Sequence, residues 1–133
     1  MRFLQRASRR STMGGQGTKT HEGSCHCGQI AYVVEGDPDK VMECNCSHCS
    51  RKGYLLWFVP RDKLTIKSPE SALAHYTFNK HVIRHHFCPK CGCAPFGTGK
   101  DPRGNEMAAI NVRCLTDVDL ATIPRVPVDG RSR

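Results

Sequence analysis

The sequence has 133 residues and a formal net charge of +8, and 38% of its residues are hydrophobic. This length predicts one domain, because a single core is usual below about 200 residues. The longest apolar run, residues 54–59, is too short for a membrane-spanning helix, and no apolar stretch of a secretory signal follows the N-terminal arginines. Nine cysteines on such a chain favour metal binding over a disulfide framework.

The chain begins with a basic segment, residues 1–20, that contains five Arg and Lys residues and no acid. Ser, Gly and Gln separate these bases without an apolar period, which predicts a disordered arm. Two alternatives stay open for it: an Arg-rich mitochondrial presequence, or translation that starts at Met13 and omits residues 1–12. The folded domain is therefore expected at residues 21–133.

Short strand-like runs separated by turn residues follow from Gly23 onward, and no sustained helical period appears. We predict a mainly β domain of roughly seven short strands without a long helix. Asn79 and Lys80 are expected to connect two of these strands as a hairpin. The clearest predicted strands lie at residues 29–35, 54–59, 64–66, 73–78, 82–87 and 106–113.

The basic excess lies mostly outside the middle of the chain. Residues 21–122 carry twelve bases and eleven acids, whereas residues 123–133 add three bases and one acid. Nucleic-acid-binding domains usually carry a basic patch on the folded surface. The balanced middle therefore predicts that the domain has no dedicated nucleic-acid surface.

Two of the three cysteine groups predict a structural metal site. Cys25 and Cys27 form a C-x-C pair, whose sulfurs point to one face of an extended segment. Cys88 and Cys91, followed by Gly92, have the spacing of a zinc knuckle, in which a tight turn brings two thiolates to one ion. A structural zinc needs four ligands and each half-site supplies two, so we pair the two half-sites. The resulting tetrahedral site would supply folding energy that the small core lacks.

The remaining cysteine group offers three thiolates within six residues: Cys44, Cys46 and Cys49. Three protein ligands with an open fourth position are typical of catalytic zinc. An ion held by three thiolates is a poor source of hydroxide, but it can bind an incoming thiol as a nucleophilic thiolate. The alternative is a structural site that Cys93, His48 or His26 closes.

Other side chains are assigned to packing. Cys114, on the last predicted strand, is expected to be a small core residue. Trp57 and Phe58 lie in the apolar run and are also expected in the core. Three histidines would fall on different faces of a strand, so we expect surface or packing roles for His81, His85 and His86.

The three cysteine motifs together resemble the glutathione-dependent formaldehyde-activating enzyme family, which includes centromere protein V. The resemblance covers about residues 23–131 and rests on GSCHCG (23–28), CNCSHCSRKG (44–53), FCPKCG (87–92), NVRCL (111–115) and DGR (129–131). It implies a β-tent fold of short strands in small antiparallel sheets and two zinc ions per chain. The implied ligands are Cys25, Cys27, Cys88 and Cys91 for a structural zinc, and Cys44, Cys46 and Cys49 for a catalytic zinc.

The family's reaction joins formaldehyde and glutathione as S-(hydroxymethyl)glutathione and is classed as a carbon–sulfur lyase activity. The resemblance therefore implies a zinc enzyme, and we expect it in the cytoplasm. Its partners would be glutathione or another small thiol, together with formaldehyde or a similar small carbonyl compound. Arg51 and Lys52 directly follow the catalytic cysteines and could hold a glutathione carboxylate, with ordinary solvated charges as the alternative.

Two other functions stay open at this point. A zinc-stabilised β module could bind another macromolecule without catalysis, and oxidation of the three-cysteine group could make the protein a redox sensor. The fourth metal position at this group distinguishes the enzyme hypothesis from the binding-module hypothesis, because only the enzyme needs that position to be open.

Overall fold

Ten strands and one short α-helix lie within residues 19–132, the part of the chain that the computed structural model describes, and four short 3-10 helices and loops connect them. The helix is α1 (Ser47–Lys52). The strands are β1 (Thr20–Ser24), β2 (Ala31–Glu35), β3 (Val41–Cys44), β4 (Leu56–Pro60), β5 (Leu64–Ile66), β6 (Ala74–Tyr76), β7 (Arg84–Phe87), β8 (Phe96–Lys100), β9 (Glu106–Asn111) and β10 (Arg125–Val128). The prediction of a mainly β fold without a long helix is confirmed. The prediction for the basic arm falls outside the described residues, apart from Lys19 and Thr20.

The strands form two sheets. β1, β2 and β5 make a three-stranded antiparallel sheet, and the second sheet has the order β10-β3-β4-β9-β8-β7-β6. Every pair in the second sheet is antiparallel except β3 and β10, which run parallel with Arg125 beside Val41. This parallel edge is a feature that the expectation of small antiparallel sheets did not include.

Each of the six predicted strand regions overlaps an observed strand, and β6 and β7 form the predicted hairpin, with Ala74 opposite Phe87. The connection between them places Asn79 and His81 in the left-handed backbone region, each with φ of 57°. Within residues 19–132, no helix has both the length and the hydrophobicity that crossing a membrane requires.

The main core lies where the inner faces of the two sheets meet. Tyr32 of β2 and Phe96 of β8 cross it in an edge-to-face contact, with ring centroids 5.1 Å apart. The least exposed members of this core include Ile30, Val34, Val41, Leu55, Ala108, Ile110 and Val112. Cys25 and Cys88 belong to the same core, so one cysteine group is continuous with the interior.

The prediction for Phe58 was wrong. Trp57 is 8% exposed, whereas Phe58 is 49% exposed. Both residues lie on β4, and successive side chains of a strand point to opposite faces, so only one of the two can enter the core. Cys114 does not lie on a strand as predicted but in a 3-10 turn, Val112–Cys114, that follows β9, and it is partly buried there.

Candidate metal centre

Four cysteines converge at one side of the main core. The sulfurs of Cys25, Cys27, Cys88 and Cys91 all lie within 4.8 Å of one another. The sulfur of Cys27 is 3.7 Å from that of Cys25 and 3.6 Å from that of Cys88. A tetrahedral zinc with Zn–S bonds of about 2.3 Å places its sulfurs about 3.8 Å apart. The four-cysteine site, the name used below for this group, therefore fits a zinc ion, and the structure brings together the two half-sites that the sequence pairs.

Backbone N–H groups surround the four-cysteine site and favour the thiolate form that binds metal. The N–H of Ile30 points at the sulfur of Cys25, with N···S 3.3 Å, and the N–H of Cys91 points at that of Cys88, with N···S 3.4 Å. Hydrogen bonds from the backbone N–H groups of Cys93 and Cys27 lower the pKa of Cys91 to about 5.

The second cysteine group sits where β3 passes into α1. The sulfurs of Cys44, Cys46 and Cys49 lie within 4.8 Å of one another, and we call this group the triad. Cys46 is the N-cap of α1, and its sulfur accepts the N–H of Cys49 with N···S 3.3 Å. Gly53 ends the helix with φ of 71°, a backbone conformation that glycine adopts without strain. The end of β3, the N-cap of α1 and the first turn of α1 thus each supply one thiol of the triad.

The triad has three members, and no fourth Cys, His, Asp or Glu side chain from residues 19–132 joins it. Cys93 packs against the main core instead, and its carbonyl accepts the N–H of Cys88. The ring of His48 lies against other aromatic rings, with its centroid 4.3 Å from that of His85. His26 is exposed, between two ligands of the four-cysteine site.

A segment from the end of the described chain covers one side of the triad. This C-terminal strap, residues 128–131, is held by Asn45. The side-chain amide of Asn45 donates to Asp129 Oδ1 at 3.1 Å and accepts the N–H of Arg131 at 2.8 Å. Its backbone N–H also donates to the carbonyl of Val128 at 3.1 Å. Sequence reasoning assigned no role to Asn45, since no local pattern links it to residues so distant in the chain.

The triad borders a small apolar cluster that is separate from the main core. Cys49 is buried in it with Tyr54 and Ala94. Burial raises the pKa of Cys49. Burial also opposes ionisation of Cys46, but hydrogen bonds from the backbone N–H of Cys49 and from its side chain lower the pKa of Cys46 overall. The three thiols therefore differ in environment although they lie within one turn.

A cavity of about 260 Å³ opens beside this cluster. Because Tyr54, Phe87 and Ala94 belong both to the apolar cluster and to the cavity wall, the cavity adjoins the triad. Its lining residues are His48, Lys52, Tyr54, Tyr76, His85, Phe87 and Ala94. Sequence reasoning missed this cavity, since its walls come from α1, β6, β7 and two loops.

The two bases that follow the triad differ in position. The guanidinium of Arg51 is exposed and donates to the carbonyl of Ser47 at 2.9 Å, one turn earlier in α1. The ammonium of Lys52 lies 5.7 Å from the ring centroid of Phe87, and Lys52 lines the cavity. Of the two predicted carboxylate-binding residues, Lys52 is therefore the one that reaches the cavity.

The histidines of the hairpin also take distinct places. His85 faces the cavity beside the triad, whereas His86 lies on the other face of β7 and its Nε2 is 2.9 Å from Thr98 Oγ1. Burial, with the neighbouring His48, His86 and Lys52, lowers the pKa of His85 to about 4, so this ring is neutral at pH 7. The expectation that the two rings lie on different faces is confirmed.

Comparison with known proteins links this geometry to a family. The model of the family described as glutathione-dependent formaldehyde-activating enzyme matches residues 20–127, which include all three cysteine groups. A crystal structure of a Rhodobacter sphaeroides protein is similar, with 25% sequence identity and a TM-score of 0.68. The match covers 79% of this chain and 99% of that chain.

Proposed function

Because the chain belongs to the glutathione-dependent formaldehyde-activating enzyme family, we propose that it is a zinc-dependent carbon–sulfur lyase. The reaction joins a small thiol to a small carbonyl compound, or reverses that addition. Glutathione and formaldehyde are the substrates that the family description supports, with S-(hydroxymethyl)glutathione as the adduct. The observation that carries this proposal is a set of three cysteines, rather than four, beside a cavity large enough for a small molecule.

The two cysteine groups have different roles in this proposal. Four thiolates complete a tetrahedral site, so the four-cysteine site is structural and stabilises the core that contains Cys25 and Cys88. A zinc ion held by the triad would supply a positive charge that lowers the pKa of an added thiol. Cys44, Cys46 and Cys49 hold that charge at the edge of the cavity.

The reaction balances without an oxidant or a reductant. The thiol gives up its proton, and a sulfur lone pair forms a bond to the carbonyl carbon. The carbonyl π electrons move to oxygen, which accepts a proton. The residues of the cavity hold the two reactants together and exclude water, and the ammonium of Lys52 holds a carboxylate of glutathione at the cavity edge.

The redox state that the proposed metal sites require of the cysteines bears on the cellular compartment of the protein. Seven of the nine cysteines lie in the four-cysteine site and the triad, and the proposed metal binding requires them as reduced thiolates. Persistent thiols are typical of reducing compartments, so the proposal places the protein in the cytoplasm.

The experiment that tests this function is a titration of cobalt-substituted protein with glutathione, followed by the visible spectrum. We expect a saturable change that involves one of the two bound cobalt ions. Cys46→Ser should abolish this change, whereas Cys93→Ser should preserve it, because Cys93 packs in the main core and not in the triad. A spectrum that stays constant up to millimolar glutathione would overturn the proposal in favour of a non-catalytic binding module. Loss of the second ion in Cys93→Ser would identify Cys93 as a fourth ligand.

A further inference from the structure

The cavity beside the triad has features that formaldehyde does not use. We propose that it receives a planar apolar substituent on the carbonyl substrate, so that the preferred carbonyl compound is an aromatic or conjugated aldehyde. This inference rests on the proposed thiol addition at the triad and specifies its second substrate.

Four aromatic rings follow one another beside the cavity, and we call them the ring stack: Tyr54, His85, Phe78 and Tyr76, of which all but Phe78 line the cavity. Neighbouring rings in this order have interplanar angles of 15°, 20° and 22° and centroid separations of 6.4, 5.3 and 5.9 Å. The ring of His48 packs against all four. Such surfaces favour contact with another planar apolar group.

The charges at the cavity argue against a polar occupant. Lys52 is the one Lys, Arg, Asp or Glu among the described residues that line it. The peptide part of glutathione carries two carboxylates and an ammonium group, and burying these against aromatic walls without partners is costly. The glutathione peptide is therefore expected at the mouth near Lys52, which leaves the apolar interior to the carbonyl compound.

The size of the cavity agrees with an aromatic substituent. Cavities of about 150 Å³ lined by apolar side chains can bind benzene, and this cavity measures about 260 Å³. It therefore has room for a six-membered ring and an attached aldehyde group. Tyr76 lines it although half of this large side chain, 52%, is exposed to solvent. An exposed aromatic at the mouth can close over a bound ring.

The position of the cavity suits the reaction. His48, a wall residue, lies in the chain between Cys46 and Cys49, and Tyr54 packs in the same apolar cluster as Cys49. A ring in the cavity would therefore bring its aldehyde carbon to the triad side. Addition of the thiol R′SH to an aldehyde RCHO gives the hemithioacetal RCH(OH)SR′, with the thiol proton transferred to oxygen.

Two stable thioethers test the substituent without requiring turnover: S-benzylglutathione and S-methylglutathione. Calorimetric titration of the zinc-loaded full chain should give at least about tenfold tighter binding of the benzyl compound, because its ring is removed from water. Tyr76→Ala should abolish most of this preference, while Tyr76→Phe should retain it. Phe58→Ala is the matched control, since Phe58 is an exposed aromatic on β4 that does not line the cavity. Circular dichroism and zinc content show whether each variant is folded.

Equal affinities for the two thioethers would overturn the inference and leave the proposed thiol chemistry intact, as would a benzyl preference that survives in Tyr76→Ala. Lack of binding by both thioethers would also overturn it. The cobalt titration with glutathione does not depend on the substituent. A failure of the proposed function would therefore appear in the cobalt titration, whereas the comparison of the two thioethers tests only the substituent.

Discussion

The main chain of Gly130 packs directly against the sulfur of Cys44. A Cβ atom built on Gly130 would lie 2.5 Å from Cys44 Sγ and 3.1 Å from the Cβ of Cys46. Asn45 holds the strap in this position with hydrogen bonds to residues on both sides of Gly130. A segment that supplies no cysteine therefore lies directly against the triad.

This contact predicts that Gly130→Ala impairs the second metal site. The added methyl group cannot fit unless the strap or the sulfur moves, so zinc content measured by atomic emission should fall from about two ions per chain to about one. Arg131→Ala is the matched control, because Asn45 accepts the main-chain N–H of Arg131, which the variant retains. A Gly130→Ala protein with both ions would show that the strap is not needed.

The two cysteine groups should differ in their effect on stability. Cys88 is fully buried in the main core. Its replacement would remove one of the four ligands of the proposed structural zinc, and binding of such an ion contributes on the order of 10 kcal/mol to folding. We expect Cys88→Ser to lower the free energy of unfolding by more than about 3 kcal/mol or to prevent cooperative unfolding. Cys46→Ser should retain a cooperative transition, since Cys46 lies outside this core. Denaturant titration of both variants checks this, and similar losses would contradict the division of roles.

The bases after the triad should not be equivalent in glutathione binding. Lys52→Ala removes the ammonium at the cavity and is expected to weaken glutathione binding about five- to tenfold, as for the loss of one charge-assisted contact. Arg51→Ala should change affinity by less than about twofold, because the guanidinium of Arg51 is bound to its own helix. Cobalt spectra at increasing glutathione concentration give both affinities. Equal effects of the two substitutions on glutathione affinity would show that the glutathione carboxylate does not bind at Lys52.

Acid should destabilise the protein in part through His85. Its pKa is lowered from 6.5 to about 4 in the folded state, so between these values the unfolded chain binds a proton that the folded chain does not. Stability attributable to this group is thus retained above pH 6.5 and lost as the pH falls toward 4. His85→Phe keeps a ring and cannot titrate, so its melting temperature should fall less between pH 7 and pH 5 than that of the unmodified protein.

Acid release of zinc affects both proteins in this comparison and cancels in the difference between them. His81→Phe serves as the control, since His81 is exposed on the hairpin connection and lies outside the cavity wall. Equal losses of melting temperature in the unmodified protein and in His85→Phe would exclude a contribution from the His85 ring.

The strands that could be predicted are those whose own residues, or the turns beside them, have the composition typical of strands and turns. β-Branched and aromatic residues located β2, a continuous apolar run located β4, and turn residues located the start of β9 and the β6–β7 hairpin. β8 was missed because Gly97 and Gly99 are typical of turns. A Cβ on Gly97 would lie 3.3 Å from the carbonyl oxygen of Arg84, so the glycine permits the close approach of β7.

The site was predictable to the extent that its ligands are close in sequence. Spacing grouped the cysteines, and the count of four ligands per structural zinc paired the first group with the third. The parallel pairing of β3 with β10 has no local signal, because the paired residues are far apart in the chain. The same holds for the strap over the triad and for the ring stack, which combine residues from distant elements.

The separation of the ligands has a consequence for synthesis on the ribosome. Cys27 precedes Cys88 by 61 residues, so at about 5–20 residues per second the first half-site waits roughly 3–12 s for its partners. The triad cysteines emerge within six residues of one another, but Gly130, which packs against the sulfur of Cys44, follows Cys44 by 86 residues. If both groups bind zinc as proposed, each site is therefore completed only after most of the domain has left the ribosome.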